Sequence, residues 1–171
     1  MKKIFQIITQ FIGRLMQKDP PAPPPKPLTL SEKAYAIALN EVGVKEIPGT
    51  GNSPRVIEYH QATDLKATDD DIPWCSAFAN WCMQQAGGKG THDAMARSWL
   101  HWGKAVDEPK TGDIVVFLRG TDKVSGHVAF FVKEIPHSDS IQVVGGNQMD
   151  MVCVMNYGRS RVLGYRRSLD G

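Results

Sequence analysis

Residues 71–88 read DIPWCSAFANWCMQQAGG, and the reading of the whole chain turns on them. Pro73 near the start and Gly87-Gly88 at the end bracket one helix, with Cys75 in its first turn and Cys82 two turns further on. Seven helical residues span about 10.5 Å of rise, whereas a disulfide needs Cα atoms within about 7 Å, so these two thiols cannot pair with each other. Cys153 makes the count odd, which argues against a disulfide framework and leaves at least one free thiol. Neither C-x-x-C nor H-E-x-x-H occurs, so no metal site and no cofactor is expected.

The chain of 171 residues is long enough for one domain with a real core and some extra. Its 42% hydrophobic and 22% charged content is ordinary for a globular protein, and a net charge of +2 is too small to argue for nucleic acid. No stretch approaches the roughly 20 apolar residues of a membrane span.

Upstream of the cysteine stretch the chain divides into three parts. Residues 1–18, MKKIFQIITQFIGRLMQK, alternate apolar and basic or polar positions with a helical period. Gln6, Thr9, Gln10 and Arg14 interrupt the apolar core that a cleavable signal would need. The expectation is a basic amphipathic helix that contacts a membrane surface or docks on a partner. Residues 19–28 are proline-rich, with six prolines in DPPAPPPKP, and read as a semi-rigid spacer that reaches roughly 25–28 Å. The main domain is expected over 29–171.

Within that domain, Thr29-Leu-Ser-Glu32 has capping-box spacing and opens a helix that Gly43 ends. Ser53-Pro54 opens a second helix through about Gln61, the cysteine stretch is the third, and a fourth runs from about Asp93 to Trp102. After Thr111 the pattern changes to short β-rich runs: DIVVFL, HVAFFVKE, IQVVGG, MVCVMNY and VLGYRR. Helices first and strands second predict an α+β fold, N-terminal helices packed on one face of a C-terminal antiparallel sheet.

Position separates the thiols. Cys75 stands at a helix start, where free N–H groups and the helix dipole favour a thiolate, the form that acts as a nucleophile. Cys82 beside Trp81 and Met83, and Cys153 in a strand, read as core residues. A nucleophilic cysteine needs a base and the base an orienting group. Of five histidines, His127 alone begins a strand, in SGHVAFFV, whereas His60, His92, His101 and His137 sit at helix ends or in a polar loop. Asn147, closing the next strand in VVGGNQ, is placed to accept the second ring N–H; the same residues also read as a simple turn.

The series P-W-C-S-A-F (Pro73–Phe78), G-H-V (Gly126–Val128) and G-G-N-Q (Gly145–Gln148), with K-E-I-P-G (Lys45–Gly49) before them, resembles a known group. It is similar to the CHAP (cysteine, histidine-dependent amidohydrolase/peptidase) and NlpC-type hydrolases of the papain-like superfamily, and in particular to a phage endolysin-like subgroup. The likeness covers roughly residues 30–167. It implies Cys75 as nucleophile, His127 as general base and Asn147 as orienter of the imidazole, with Trp74 and Gln148 as substrate-binding candidates. It departs from the common pattern at Gly145, where many such domains carry a glutamate. The implied function is hydrolysis of amide bonds in bacterial peptidoglycan through a thioester, by a monomer made in a bacterial cytoplasm and acting at the periplasm or cell wall. An acyltransferase or protease on another substrate, and a non-catalytic wall-binding module, are the alternatives.

Overall fold

The computed structural model describes residues 26–171; the expected amphipathic helix 1–18 and most of the proline-rich segment lie outside the described residues. Helix α1, Leu30–Asn40, starts at Thr29 with a reciprocal capping box, in which the Thr29 hydroxyl accepts from the Glu32 amide and Glu32 accepts from the Thr29 amide at 2.7 Å. Helix α2, Pro54–His60, has proline at its first position, where the missing N–H has no helical partner to lose. Helix α3, Cys75–Gln85, begins on Cys75 itself and is buried on every side from Cys75 to Met83. Its two buried polar residues, Ser76 and Asn80, are satisfied from the segment that follows. Ser76 donates to the Asp93 carbonyl at 2.6 Å and accepts from Trp99, and Asn80 accepts from the His92 amide at 2.8 Å.

The expected fourth helix is instead a single 3₁₀ segment, Ala96–His101. In that geometry residues three apart eclipse, and Trp99 and Trp102 meet edge-on with ring centres 5.3 Å apart. The strands are β1 Lys104–Val106, β2 Ile114–Leu118, β3 Gly126–Glu134, β4 Ser140–Gly145, β5 Cys153–Gly158 and β6 Val162–Arg167, paired antiparallel in the order β1-β6-β2-β3-β4-β5. The protein therefore has the α+β architecture expected, with β1 as an additional edge strand.

Alternation along the strands makes two apolar layers. Ile114, Val116, Val128, Phe130 and Val144 face the helices and share a core with Trp74, Phe78 and Met83 of the α3 region. Val115, Phe117, Ala129, Phe131, Ile141 and Val143 form a smaller cluster on the other face, with Tyr157, Val162 and Tyr165 packed against it. His127 shares this second face by its register with Ala129 and Phe131. Strand β3 is interior to the sheet, so the histidine is held by strands on both sides rather than at a lateral edge.

Candidate active site

Strand β4 ends at Gly145, and its pairing with β3 starts only at Phe130, so the first residues of β3 run on beyond their β4 partner. The N-terminus of α3 fills that place. The Cys75 thiol faces the backbone amide of Val128, the residue next to His127. The chain after β4 squeezes past the helix start: a Cβ on Gly146 would lie 2.4 Å from the Trp74 ring and 2.7 Å from Phe78 Cβ. Only glycine allows this approach.

The helix start does not lower the thiol pKa as its position predicts. Cys75 is 4% exposed, and burial raises its pKa; the amides of Val128 and Ser76 and the charge of Arg119 only partly offset this. Desolvation of the charged form outweighs the helix N-terminus here. Burial likewise pushes His127 down to about 4, with the Gln148 hydrogen bond opposing it and the positive charges of Arg119 and Arg161 adding to it. At neutral pH the site therefore rests as a neutral thiol and a neutral imidazole. Cys82 is deeper still, and burial raises its thiol well above the ordinary range.

His127 stacks on Tyr157 at 5.3 Å and on Phe117 at 6.1 Å, and its Nε2 lies 3.1 Å from Oε1 of Gln148. The partner of the ring is thus Gln148 and not Asn147. Asn147 adopts a left-handed φ of 54°, which turns the chain so that Gln148, 2% exposed, goes inward while Asn147 lines the cleft outside. Gln148 is anchored in turn: its Nε2 donates to the Cys153 carbonyl at 2.5 Å, its own amide donates to Met151, and the Cys153 thiol donates to its carbonyl. Cys153 is therefore more than core filling. Gln148 thus contacts the imidazole and also lines the cleft beside it.

Trp74 does not wall a groove. It is fully buried, packs on Tyr59 and Phe78, and donates from Nε1 to Glu46 at 2.7 Å. The Lys45–Gly49 segment thereby braces the start of α3, and Lys45 bridges to Met151 beyond Gln148. Asp69, Asp70 and Asp71 lie together just before α3, and Asp70 accepts from the amides of Ile47 and Ser53. Beside His127 opens a cleft of about 300 Å³ lined by Arg119, Asn147, Gln148, Tyr157 and Arg161, with Met149 and Met155. Sequence reading does not single out Tyr157 or the two arginines; the pairing of β5 with β4 and of β6 with β2 brings Tyr157 and Arg161 beside Arg119.

A family model for the CHAP domain matches this part of the chain. Residues 67–147 carry the CHAP match. It contains Cys75, His127 and Asn147 and ends one residue before Gln148, so the imidazole's partner lies just past the CHAP segment. Among solved structures, a protein from Staphylococcus aureus described as similar to a lipoprotein of the NLP/P60 family superposes with a TM-score of 0.51 at 17% identity. The match covers 95% of this chain and 48% of that one, so this chain spans about half the length of that neighbour. At that identity the likeness bears on the α+β fold alone. No curated protein matches the chain.

Proposed function

We propose that the protein is a cysteine amidase or peptidase that cleaves amide bonds of bacterial peptidoglycan. The observation that carries this reading is the meeting of Cys75, at the first turn of α3, with the His127 end of β3, where Gln148 holds the imidazole. The CHAP match over the same residues supports it, as does the NLP/P60-type fold.

In this reading Cys75 Sγ attacks the scissile carbonyl carbon while the ring of His127 takes the thiol proton. The Cys75 amide, at the helix start, donates to the oxyanion that forms. The C–N bond breaks, the imidazolium returns its proton to the leaving amine, and a thioester remains on Cys75. Water then adds with His127 as base, and the thiol is regenerated with release of the acid. Because both groups rest neutral, proton transfer accompanies attack rather than preceding it. Gln148 acts by orienting the ring, the role expected from sequence for Asn147.

The setting is wall cleavage by a phage or a bacterium. The amphipathic pattern of residues 1–18 supports contact with a membrane surface, tested by removing residues 1–27 and measuring association with anionic liposomes; unchanged association contradicts it. Substrate choice is tested by incubating the protein with purified peptidoglycan and, in parallel, with unfolded protein and a thioester acyl donor. New amine termini in the wall sample alone support the reading. Turnover of the other substrates alone overturns it in favour of a protease or acyltransferase.

A further inference from the structure

The cleft beside His127 holds two positive charges, and among the described residues no acidic side chain lines it. Arg119 follows the end of β2, and Arg161 sits in the short turn Arg159–Arg161 between β5 and β6. The Arg161 guanidinium is fixed by neutral groups: it donates to the Leu118 carbonyl from Nε at 3.3 Å and from Nη2 at 3.1 Å, and lies 5.3 Å from the Tyr157 ring centre. Tyr157 stacks on His127, so the charge is one ring removed from the imidazole. Three other arginines are paired with carboxylates, Arg55 with Glu41 and Glu58, Arg159 with Glu134, and Arg167 with Asp113, whereas Arg97, which donates to the carbonyls of Ser125 and Asp122, and Arg166 are in no ion pair among the described residues and do not line this cleft. Among the described residues neither Arg119 nor Arg161 is in an ion pair. Both line the same cleft as His127, and their positive charges act on its ring.

We propose that Arg119 and Arg161 form a subsite for a carboxylate of the substrate, beside the bond that is cut, so that a free acid is selected over its amide. The inference rests on the amide-hydrolase reading above. A carboxylate accepts charge-assisted hydrogen bonds from guanidinium groups that an uncharged carboxamide cannot match, and pairing them in the cleft relieves the repulsion between the two cations. Asn147 and the Tyr157 ring complete the surroundings without adding charge. The bound carboxylate also offsets the two positive charges that His127 feels, so protonation of the ring becomes easier in the substrate complex than in the free enzyme.

The test compares purified peptidoglycan before and after its free carboxyl groups are converted to carboxamides with ammonia and a carbodiimide. For the wild-type chain, amidation is expected to lower kcat/KM about tenfold, the size of one charge-assisted contact at a solvent-facing site. The R119Q/R161Q variant is expected to cut both preparations equally, at the lower rate, and the acid limb of its kcat/KM profile moves to higher pH. Both arginines are exposed, so the variant is expected to fold, as circular dichroism will check. Equal cleavage of the two preparations by the wild type, or a preference that persists in the variant, overturns the proposal. Binding is read separately with Cys75→Ala, titrated calorimetrically with a glutamyl peptide bearing a free α-carboxylate and with its α-carboxamide twin. Tighter, salt-sensitive binding of the acid supports the subsite, and equal affinity overturns it. If the wild type cuts neither wall while Cys75→Ala still prefers the acid, the hydrolase reading falls and the subsite stands.

Discussion

Gln148 decides which nitrogen of His127 carries the proton. Its Nε2 donates to the Cys153 carbonyl, so its Oε1 is the atom turned to the ring, and an oxygen there can only accept. His127 Nε2 is therefore the protonated nitrogen, and Nδ1 keeps the lone pair that takes a proton in catalysis. Gln148→Ala is expected to lower kcat about 10- to 100-fold, as loss of an orienting partner does. Asn147→Ala is expected to change kcat by a few-fold at most. Steady-state kinetics of the two variants separates them, and the reverse ranking would return the orienting role to Asn147.

The neutral resting pair sets the pH profile. With His127 down at about 4, the base stays unprotonated through the mildly acidic range, so kcat/KM is expected to hold below pH 6 and to fall only as pH drops toward 4. Since burial raises the Cys75 thiol, its alkylation by iodoacetamide is expected to be slow at neutral pH and to climb only in the alkaline range. A plateau of fast alkylation at pH 5–7 would show a preformed thiolate and contradict this.

The same burial makes the fold acid-sensitive. The unfolded chain binds a proton at His127 below its ordinary value of 6.5, whereas the folded chain does not until about 4, so stability falls as pH drops through that window. The gap corresponds to about 3 kcal/mol at its full extent. His60, fully buried and shifted in the same direction, adds to the loss. Urea unfolding at pH 7 and pH 4.5 measures it, and His127→Gln is expected to shrink the difference between the two.

Gly146 is held to glycine by the Trp74 ring and Phe78. Gly146→Ala is expected to lose about 1–3 kcal/mol through overpacking and to displace the helix start that carries Cys75. Gly158→Ala is the comparison, because its Cβ would meet only Ser160 Oγ at 3.7 Å and its φ is −61°. That change is expected to stay within about 0.5 kcal/mol of wild type. Thermal melts and kinetics of both variants check the contrast.

Local signals made much of this legible in the chain. Thr29 and Glu32, Pro54, Pro73 and the glycines punctuate the helices, and short β-rich runs between turn residues mark five of the six strands. The three residues of β1 carry too little pattern to read. Cys75 and His127 stand out because a helix start and a strand start can be read without tertiary information. Gln148 could not be separated from Asn147, because the left-handed turn at Asn147 breaks the alternation that would tell inside from outside. Trp74 is ambiguous in sequence because a tryptophan beside Cys75 serves a groove or a core equally well, and only its contact with Glu46 and its burial decide. The direction of the Cys75 shift departs from the sequence expectation for a similar cause. The helix dipole is written in sequence, but the desolvation that overrides it is a property of packing.

Cleavage of a wall amide bond by Cys75 is read out by mass spectrometry of the soluble fragments released from purified peptidoglycan, by the wild-type chain and by Cys75→Ala at equal concentration. The expected result is a defined set of fragments ending at one amide bond type with the wild type, and none above background with Cys75→Ala. The same fragments from both chains, or fragments from neither, would contradict it.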